Sequence, residues 1–165
     1  MITLREATAS DILAIRTIAQ AAWPAAYTGI ISPEQIAYML ELMYSISSLT
    51  EQLEQKGHRF LLAEQDGDVI GFASFEHHYS PERSRLHKLY VLPDALGKGV
   101  GHQLMEAVFT EAMERGDREI ELNVNKHNRA KHFYERHGFT VERDEVLDIG
   151  HGFVMDDHVM VKRLG

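Results

Sequence analysis

The sequence predicts an α/β fold in which helices and strands pack around one mixed β-sheet. Apolar residues recur at helical spacing in several segments, and short β-rich runs lie between those segments. The 165 residues, 44% of them apolar, are enough to bury a proper core. We therefore expect a single domain over residues 1–165, without repeats, linkers or low-complexity segments.

The first third of the chain is predicted to be mainly helical. After a short strand at residues 2–5, residues 10–11 (Ser-Asp) cap a helix with apolar side chains at helical spacing. Residues 23–27 (Trp-Pro-Ala-Ala-Tyr) should break that helix. Residues 32–33 (Ser-Pro) begin a second helix, and residues 49–55 add a further turn or two.

The middle of the chain is predicted to form strands. Asp66-Gly67 between the runs 60–64 and 69–75 is a strong β-hairpin signal. Another strand is expected over residues 86–92. These strands should form the centre of the sheet.

The last third of the chain is predicted to alternate between helices and strands. We expect helices over 102–115 and 128–137, a strand over 120–124, and closing strands over 139–146 and 153–161. Together with the earlier strands they complete one sheet with helices packed on it.

Composition excludes several classes of protein. The net charge of −8 argues against nucleic acid as a partner, because phosphates require basic surface, and a negative field suits a cationic substrate. No run of about 20 apolar residues suggests a membrane span, and the first residues do not resemble a signal peptide. The chain has no cysteine, which rules out thiol catalysis and favours a cytoplasmic enzyme.

Three alternating glycines mark the most informative stretch. They follow a strand that stops at Pro93, and an amphipathic helix begins directly after them. Glycine allows tight turns, and the first N–H groups of a helix attract anions, so this loop predicts a seat for phosphate. His102 stands where a dinucleotide-binding fingerprint needs glycine, and the loop lacks the Gly-Lys-Ser/Thr of a Walker motif. The predicted phosphate-binding residues are Gly97, Lys98, Gly99, Val100, Gly101 and His102.

Two ordered motifs resemble those of the GCN5-related N-acetyltransferases, which transfer an acetyl group from acetyl-CoA to an amine. The first, Gln/Arg-x-x-Gly-x-Gly/Ala, falls on Leu96, Gly99 and Gly101. The second, Asn-x-x-Ala-x-x-Phe-Tyr-x-x-x-Gly-Phe, is matched at Asn128, Ala130 (one position early), Phe133, Tyr134, Gly138 and Phe139. The match covers roughly residues 86–140. Leu96 departs from the pattern, since the family usually has a polar side chain there, and this weakens one contact to the cofactor.

The resemblance implies a mixed, mostly antiparallel central sheet flanked by helices on both faces. It implies acetyl-CoA as cosubstrate, with the backbone of Leu89, Tyr90 and Val91 pairing with the pantetheine arm where the strand splays from its neighbour. Phe133 and Asn128 would also contact the cofactor, although Asn128 equally suits a helix cap. Tyr134 would protonate the departing thiolate.

The base that deprotonates the amine is less defined by the sequence. Candidates are Glu76, His77 and His78 at the end of one strand and His87 on the next, and a water chain ending at a carboxylate is an equal alternative. By strand alternation His77 and His78 cannot both enter one site, whereas His87 shares a face with Leu89. Glu76 and His87 are the predicted pair.

The histidines predict no metal site. The chain has no His-Glu-x-x-His motif, and the three histidines of the segment 127–137 are spaced by five residues, which winds them around a helix.

The predicted substrate is a small amine. Residues 23–27, 31–40 and 43–45 resemble the bacterial spermidine/spermine acetyltransferase branch, in which this region forms one wall of the acceptor pocket. Aromatic side chains there, with Glu34 or Glu41, could hold a polyamine, although Trp23 and the nearby tyrosines equally suit a core.

Alternatives stay open at this stage. The acceptor could be another small amine or a peptide or protein amine, and the chain could be a non-catalytic CoA-binding sensor. A nucleotide-dependent oxidoreductase is disfavoured by the glycine spacing. A homodimer is expected, because the last strand carries apolar residues 159–161 that could pair across chains.

Overall fold

A seven-stranded sheet forms the centre of the molecule. The computed structural model describes residues 1–165. The strand order is β1-β2-β3-β4-β5-β7-β6, and every neighbouring pair is antiparallel except β4 and β5. The strands are β1 (Ile2–Glu6), β2 (Arg59–Gln65), β3 (Asp68–Ser80), β4 (Arg83–Val91), β5 (Glu119–Asn125), β6 (Thr140–Gly150) and β7 (Phe153–Arg163). The prediction of a mixed, mostly antiparallel sheet is confirmed.

Five helices cover the two faces of this sheet. They are α1 (Ile12–Tyr27), α2 (Pro33–Tyr44), α3 (Ile46–Glu54), α4 (Val100–Glu114) and α5 (Ala130–Arg136). One apolar cluster joins α1, α2 and α3 to side chains such as Phe60 and Phe72. A second cluster joins α4 and α5 to the opposite face through side chains such as Phe75 and Ile120. The predicted placement of helices on both faces is therefore confirmed.

The predicted break after residue 22 is wrong, because α1 continues through Pro24 to Tyr27. Proline in a helix interior lacks one backbone donor and usually kinks or ends the helix. Here Trp23 and Tyr27 are both buried against the sheet, and the N–H of Thr28 still donates to the Pro24 carbonyl at 3.1 Å. Tertiary packing thus outweighs the local cost of the proline.

Two turn signals are confirmed in detail. Asp66 and Gly67 both have positive φ, 54° and 84°, as a type I′ hairpin between β2 and β3 requires. Ser32 caps α2, with its hydroxyl accepting from the Gln35 N–H at 3.1 Å and Pro33 following in the first turn.

Strands β4 and β5 diverge along their length. Residues Arg83 to Leu86 pair in parallel with Glu119 to Leu122, and beyond Leu86 the pairing stops. The rest of β4 keeps its antiparallel partner β3 only. The divergence opens a wedge in the middle of the sheet.

A β-bulge in β4 changes which side chains share a face. The register with β3 shifts between Ser74 and Phe75, so that His87 is the extra residue on β4. Leu86 and Leu89 consequently pack in the same cluster beside α4, although they are three residues apart. The prediction that His87 shares a face with Leu89 and Val91 is wrong, because simple alternation does not survive a bulge.

The last strand is not at an edge. Strand β7 lies between β5 and β6, and Val159 and Met160 are fully buried within the chain. The argument for a dimer through residues 159–161 is therefore wrong. The free edges belong to β1 and β6. No helix is both long and apolar enough to cross a bilayer.

Candidate active site

A cavity of about 600 Å³ opens where β4 and β5 diverge. The end of α1, the glycine loop and α5 complete its wall. Most of the predicted site residues border it: His87, Leu89, Tyr90, Val91, Gly97, Gly99, Val100, Gly101, His102, Asn128, Phe133 and Tyr134. Glu76 and Lys98 do not border it.

The glycine loop presents backbone donors at the start of α4. Gly97 and Gly99 both adopt φ of 81°, a conformation that costs residues with a side chain about 1–2 kcal/mol. Helix α4 begins at Val100, so its first N–H groups have no partner within the helix and carry the positive end of the dipole. The loop is suited to the pyrophosphate of a CoA-type ligand.

Gly101 serves a second purpose in this loop. A Cβ atom there would lie 3.3 Å from the Phe133 ring, closer than most real contacts. The missing side chain therefore lets α4 and α5 approach each other directly beside the cavity. This explains why the two motifs, far apart in sequence, meet in space.

Charges around the loop differ from the sequence prediction. Lys98 is exposed and does not border the cavity, while Leu96 borders it with 63% of its surface exposed. Arg129, directly before α5, and Arg136, at its end, border the cavity and were not predicted. Guanidinium groups bind phosphate well, so two arginines near a phosphate-binding motif are a usable signal.

The free part of β4 supplies a second set of backbone groups. Leu89 and Val91 pack their side chains toward α4, and Tyr90 packs toward α1. With β5 diverging, the β4 backbone on that side has no strand partner. An extended amide-containing chain such as pantetheine could pair with it in the manner of an added strand.

Tyr134 borders the cavity and is otherwise buried. Its ring packs edge-to-face on Phe133 and Phe139, at centroid distances of 5.6 and 5.8 Å. Burial raises its pKa well above the usual 10, and no protein group hydrogen-bonds to its hydroxyl. The phenol therefore stays protonated at neutral pH and is free to donate to a ligand.

A tyrosine pair spans the opposite wall of the cavity. The hydroxyl oxygens of Tyr27 and Tyr90 lie 3.3 Å apart, and Asn128 borders the same cavity. The Asn128 side-chain oxygen accepts from the Ala130 N–H at 2.9 Å, but the residue directly before α5 is Arg129, so Asn128 lies one position earlier than the helix cap. Tyr27 belongs to the segment 23–27, which the resemblance placed in one wall of the acceptor pocket, and it borders the cavity.

Glu76 and His87 contact each other. The Nε2–H of His87 donates to Oε1 of Glu76 at 3.0 Å, and the His58 ring stacks on His87 at a centroid distance of 4.0 Å. Burial, aided by neighbouring cations, lowers the pKa of His58 from 6.5 to about 4 and that of His87 from 6.5 to about 2. Both imidazoles are neutral at pH 7, and a histidine with so low a pKa is a poor acceptor for an ammonium proton.

The same three residues bring potential metal ligands together, with their donor atoms within 4.8 Å of one another. A metal bound by histidine lies close to the plane of each imidazole ring. The His58 and His87 rings are nearly parallel, at 12°, and stacked, so their in-plane lone pairs do not converge on one ion. The geometry fits a stacked pair better than a metal centre.

His77 and His78 both turn toward the end of α4. His77 contacts Glu111 at 2.5 Å, and His78, with φ of 54°, contacts Asp117 at 2.6 Å. The register shift between Glu76 and Ser80 breaks the alternation on which the sequence prediction relied. Neither histidine borders the cavity.

Comparisons with known proteins agree on one family. The profile described as an acetyltransferase (GNAT) domain matches residues 28–155. An uncharacterised N-acetyltransferase of Mycobacterium tuberculosis is 31% identical over 157 residues, which cover 94% of this chain and 99% of that protein. The L-amino acid N-acyltransferase MnaT of Escherichia coli is 34% identical over 89 residues, or 52% of each chain.

A solved structure extends the agreement to the cofactor. The PaiA N-acetyltransferase of Thermoplasma acidophilum, crystallised in complex with coenzyme A, superposes with a TM-score of 0.83 at 26% identity and covers 99% of both chains. The chain therefore belongs to the GNAT family and is an acetyl-CoA-dependent N-acetyltransferase.

Proposed function

We propose that the acceptor is a polyamine such as spermidine. The observation that carries this proposal is the carboxylate of Glu76, whose nearest partners are two histidines that are neutral at pH 7. Its negative charge is thus available to a distal ammonium group, and the net charge of −8 attracts polycations in the same direction. The resemblance of residues 23–45 to the spermidine/spermine branch adds weight.

The aromatic residues of that region divide into two groups. Trp23 and Tyr44 are buried in the core. Tyr27 and Tyr90 border the cavity and could flank an alkyl chain that carries positive charge. Glu76 does not border the cavity itself, but it contacts His87, which does. Glu34 and Glu41 are exposed on α2 and neither border the cavity nor contact a residue that does, so our proposal assigns them no role. We call the surface formed by Tyr27, Glu76 and Tyr90 the acceptor side.

We further propose the following roles for the chain's own residues. The loop from Gly97 to His102 holds the pyrophosphate, and the free backbone of Leu89 to Val91 orients the pantetheine arm. Tyr134 donates its proton toward the leaving sulfur. Acetyl-CoA supplies the activated acetyl group, and attack by the amine is direct, because the chain has no cysteine to form an acyl-thiol intermediate.

The decisive experiment follows CoA release from acetyl-CoA with spermidine, spermine, putrescine and a panel of amino acids. A thiol reagent can be used without background, since the protein contributes no thiol. We expect turnover with spermidine or spermine, intersecting (sequential) double-reciprocal plots and no trapped acetyl-enzyme. Turnover confined to non-polyamine acceptors would overturn the polyamine proposal.

An L-amino acid is the second candidate acceptor. The observation that favours it is the 34% identity to an L-amino acid N-acyltransferase over 89 residues, about half of each chain. In the same panel, selective turnover of one amino acid would support this candidate in place of a polyamine.

We also propose that the protein is a cytoplasmic homodimer. Strand β6 has a free edge, and Val141 and Val146 on it are exposed. The absence of cysteine suits a reducing compartment. Light scattering coupled to gel filtration tests the dimer, and a monomer at working concentration would overturn it.

A further inference from the structure

Asp157 is a buried carboxylate that nothing above uses. It lies on β7 and is 5% exposed. Met155, two residues earlier, packs in the cluster beneath α1 and α2, so Asp157 points to that same face by alternation. It therefore lies on the side of the sheet opposite α4.

The two oxygens of this carboxylate differ. Oδ2 accepts from the Asn123 side-chain amide at 3.2 Å, whereas the buried Oδ1 has no hydrogen-bond partner in the protein. A buried acceptor without a partner costs about 1–3 kcal/mol, and more when it is charged. Such an arrangement is rare in native proteins unless it serves a purpose.

The charges facing Asp157 do not neutralise it. Burial raises its pKa above 3.8, and Glu145 on β6 and its neighbour Asp156 raise it further. Arg85 on β4 acts in the opposite direction. That arginine, however, donates to Glu121 at 2.9 Å, so its charge is already compensated.

The position of Asp157 relates it to the cavity. Its partner Asn123, on β5, borders the cavity. Tyr27 and Asn128 border the cavity as well. Asp157 is close enough to Tyr27 for its charge to raise the pKa of that tyrosine. Asp157 does not border the cavity itself, and its contact with Asn123 places it behind that residue, on the face of the sheet away from α4.

We propose that Asp157 binds the ammonium group of the acceptor and takes its proton. The amine enters between Tyr27 and Asn123 and meets the unpartnered Oδ1. This role rests on the proposed acetylation of an amine, and it assigns the base to Asp157 in place of the predicted pair Glu76 and His87. An ammonium ion supplies both the donor and the positive charge that this carboxylate lacks.

The proton and electron balance is simple. The ammonium gives one proton to Asp157, which becomes neutral, and leaves an amine with a free lone pair. That pair forms the N–C bond as the C–S bond of the thioester breaks. Tyr134 gives its hydroxyl proton to the leaving thiolate and is reprotonated by the second proton from nitrogen. The third proton stays on the amide nitrogen. Asp157 then returns its proton to solvent.

The test compares Asp157→Asn with Asp156→Asn. The second variant removes the same charge one residue away, from a side chain that is 50% exposed and paired with Lys126 at 2.9 Å. We expect Asp157→Asn to lower kcat/KM for the amine by about 100-fold or more, the range of a lost general base. CoA affinity should be unchanged, and Asp156→Asn should stay within about twofold of wild type.

Protein stability separates this role from a structural one. The amide of Asp157→Asn can still accept from Asn123 and no longer buries a charge, so its urea midpoint at pH 7.5 should equal or exceed that of wild type. Loss of activity in a protein at least this stable supports the proposal. Amine turnover within about threefold of wild type overturns it.

A binding measurement keeps the inference distinct from the proposed reaction. If wild type releases no CoA with any amine, the proposed acetylation fails, and calorimetry of spermidine with the CoA complex then tests the anchor. Binding weakened by about tenfold or more in Asp157→Asn supports an ammonium anchor. Equal affinity in both proteins, or no binding by wild type, overturns it.

Discussion

The two sides of the cleft are built by different means. On the cofactor side, which comprises the glycine loop, α4 and α5, the cavity wall offers mainly backbone groups and the start of a helix. On the acceptor side, polar side chains from different strands face one another, as Glu76 and His87 do across β3 and β4. The cofactor side depends on local backbone conformation, whereas the acceptor side depends on the register between neighbouring strands.

This difference determines how each side responds to mutation. A backbone site is damaged when a substitution changes the path of the chain, whereas a side-chain site is damaged by removal of one functional group. Variants on the two sides should therefore separate cofactor binding from acceptor chemistry.

Tyr134→Phe should give the largest effect among these, because Tyr134 borders both sides. We expect kcat to fall by about 100-fold while CoA affinity is unchanged, since the ring packing on Phe133 and Phe139 is kept and only the acidic proton is lost. Steady-state kinetics and calorimetry of CoA binding measure the two quantities.

The matched control is Tyr38→Phe. That hydroxyl donates to the Ile149 carbonyl at 2.6 Å, away from the cavity. Its loss should reduce stability slightly and leave kcat unchanged. Equal kcat in wild type and Tyr134→Phe would remove Tyr134 from the mechanism.

Gly99→Ala tests the cofactor side alone. A side chain at φ of 81° costs about 1–2 kcal/mol, and the loop can relieve this strain by shifting its N–H groups away from the phosphate. We expect CoA affinity to fall about tenfold, with the amine KM little changed at saturating acetyl-CoA. Calorimetry with CoA provides the measurement.

Gly57→Ala is the control for this change. Gly57 has φ of 69° with open space around it and does not border the cavity. The Gly57→Ala variant should lose about as much stability as Gly99→Ala but keep the CoA affinity of wild type. Similar losses of CoA affinity in the two variants would show that general strain, and not the loop, governs binding.

The local features of the cofactor side could be predicted from the sequence. Alternating glycines and a helix start are such features, and the structure has positive φ at Gly97 and Gly99 and begins α4 at Val100. Arg129 and Arg136 were not predicted, because neither belongs to the two motifs.

The acceptor side was much harder to predict. Its geometry depends on the bulge at His87. A bulge arises from packing between neighbouring strands, and no short sequence pattern predicts that packing. The same holds for Asp157, which appears in the sequence as one of several carboxylates in an acidic stretch. The tolerance of α1 for Pro24 likewise depends on the burial of Trp23 and Tyr27, a tertiary effect.

Glu76→Gln tests the acceptor side without touching the proposed chemistry. Because the carboxylate faces neutral histidines, its charge should act on a distal ammonium of the substrate. We expect the spermidine KM to rise about three- to tenfold with little change in kcat, as for a partly exposed ion pair. The exposed Glu54→Gln is the control, and an unchanged spermidine KM in Glu76→Gln would count against the polyamine proposal.

The smallest predicted effect is a loss of folding stability at low pH, caused by the buried His58 on the acceptor side. His58 has a folded-state pKa of about 4, lowered from 6.5 by burial. As the pH falls from 6.5 toward 4, the unfolded chain takes up a proton that the folded protein excludes, so stability decreases over that window and is unaffected above it. Between pH 7.5 and 5 we expect a loss on the order of 1–2 kcal/mol from this residue.

Urea unfolding of wild type and His58→Gln at the two pH values measures this cost. The variant should lose less stability on acidification than wild type, even if it is slightly less stable at pH 7.5 through the lost stacking on His87. The exposed His132→Gln should behave as wild type. An identical acid response in wild type and His58→Gln would mean that this histidine can be protonated inside the fold. A protonated His58 would pair with the Glu76 carboxylate and make it less available to a cationic acceptor at low pH.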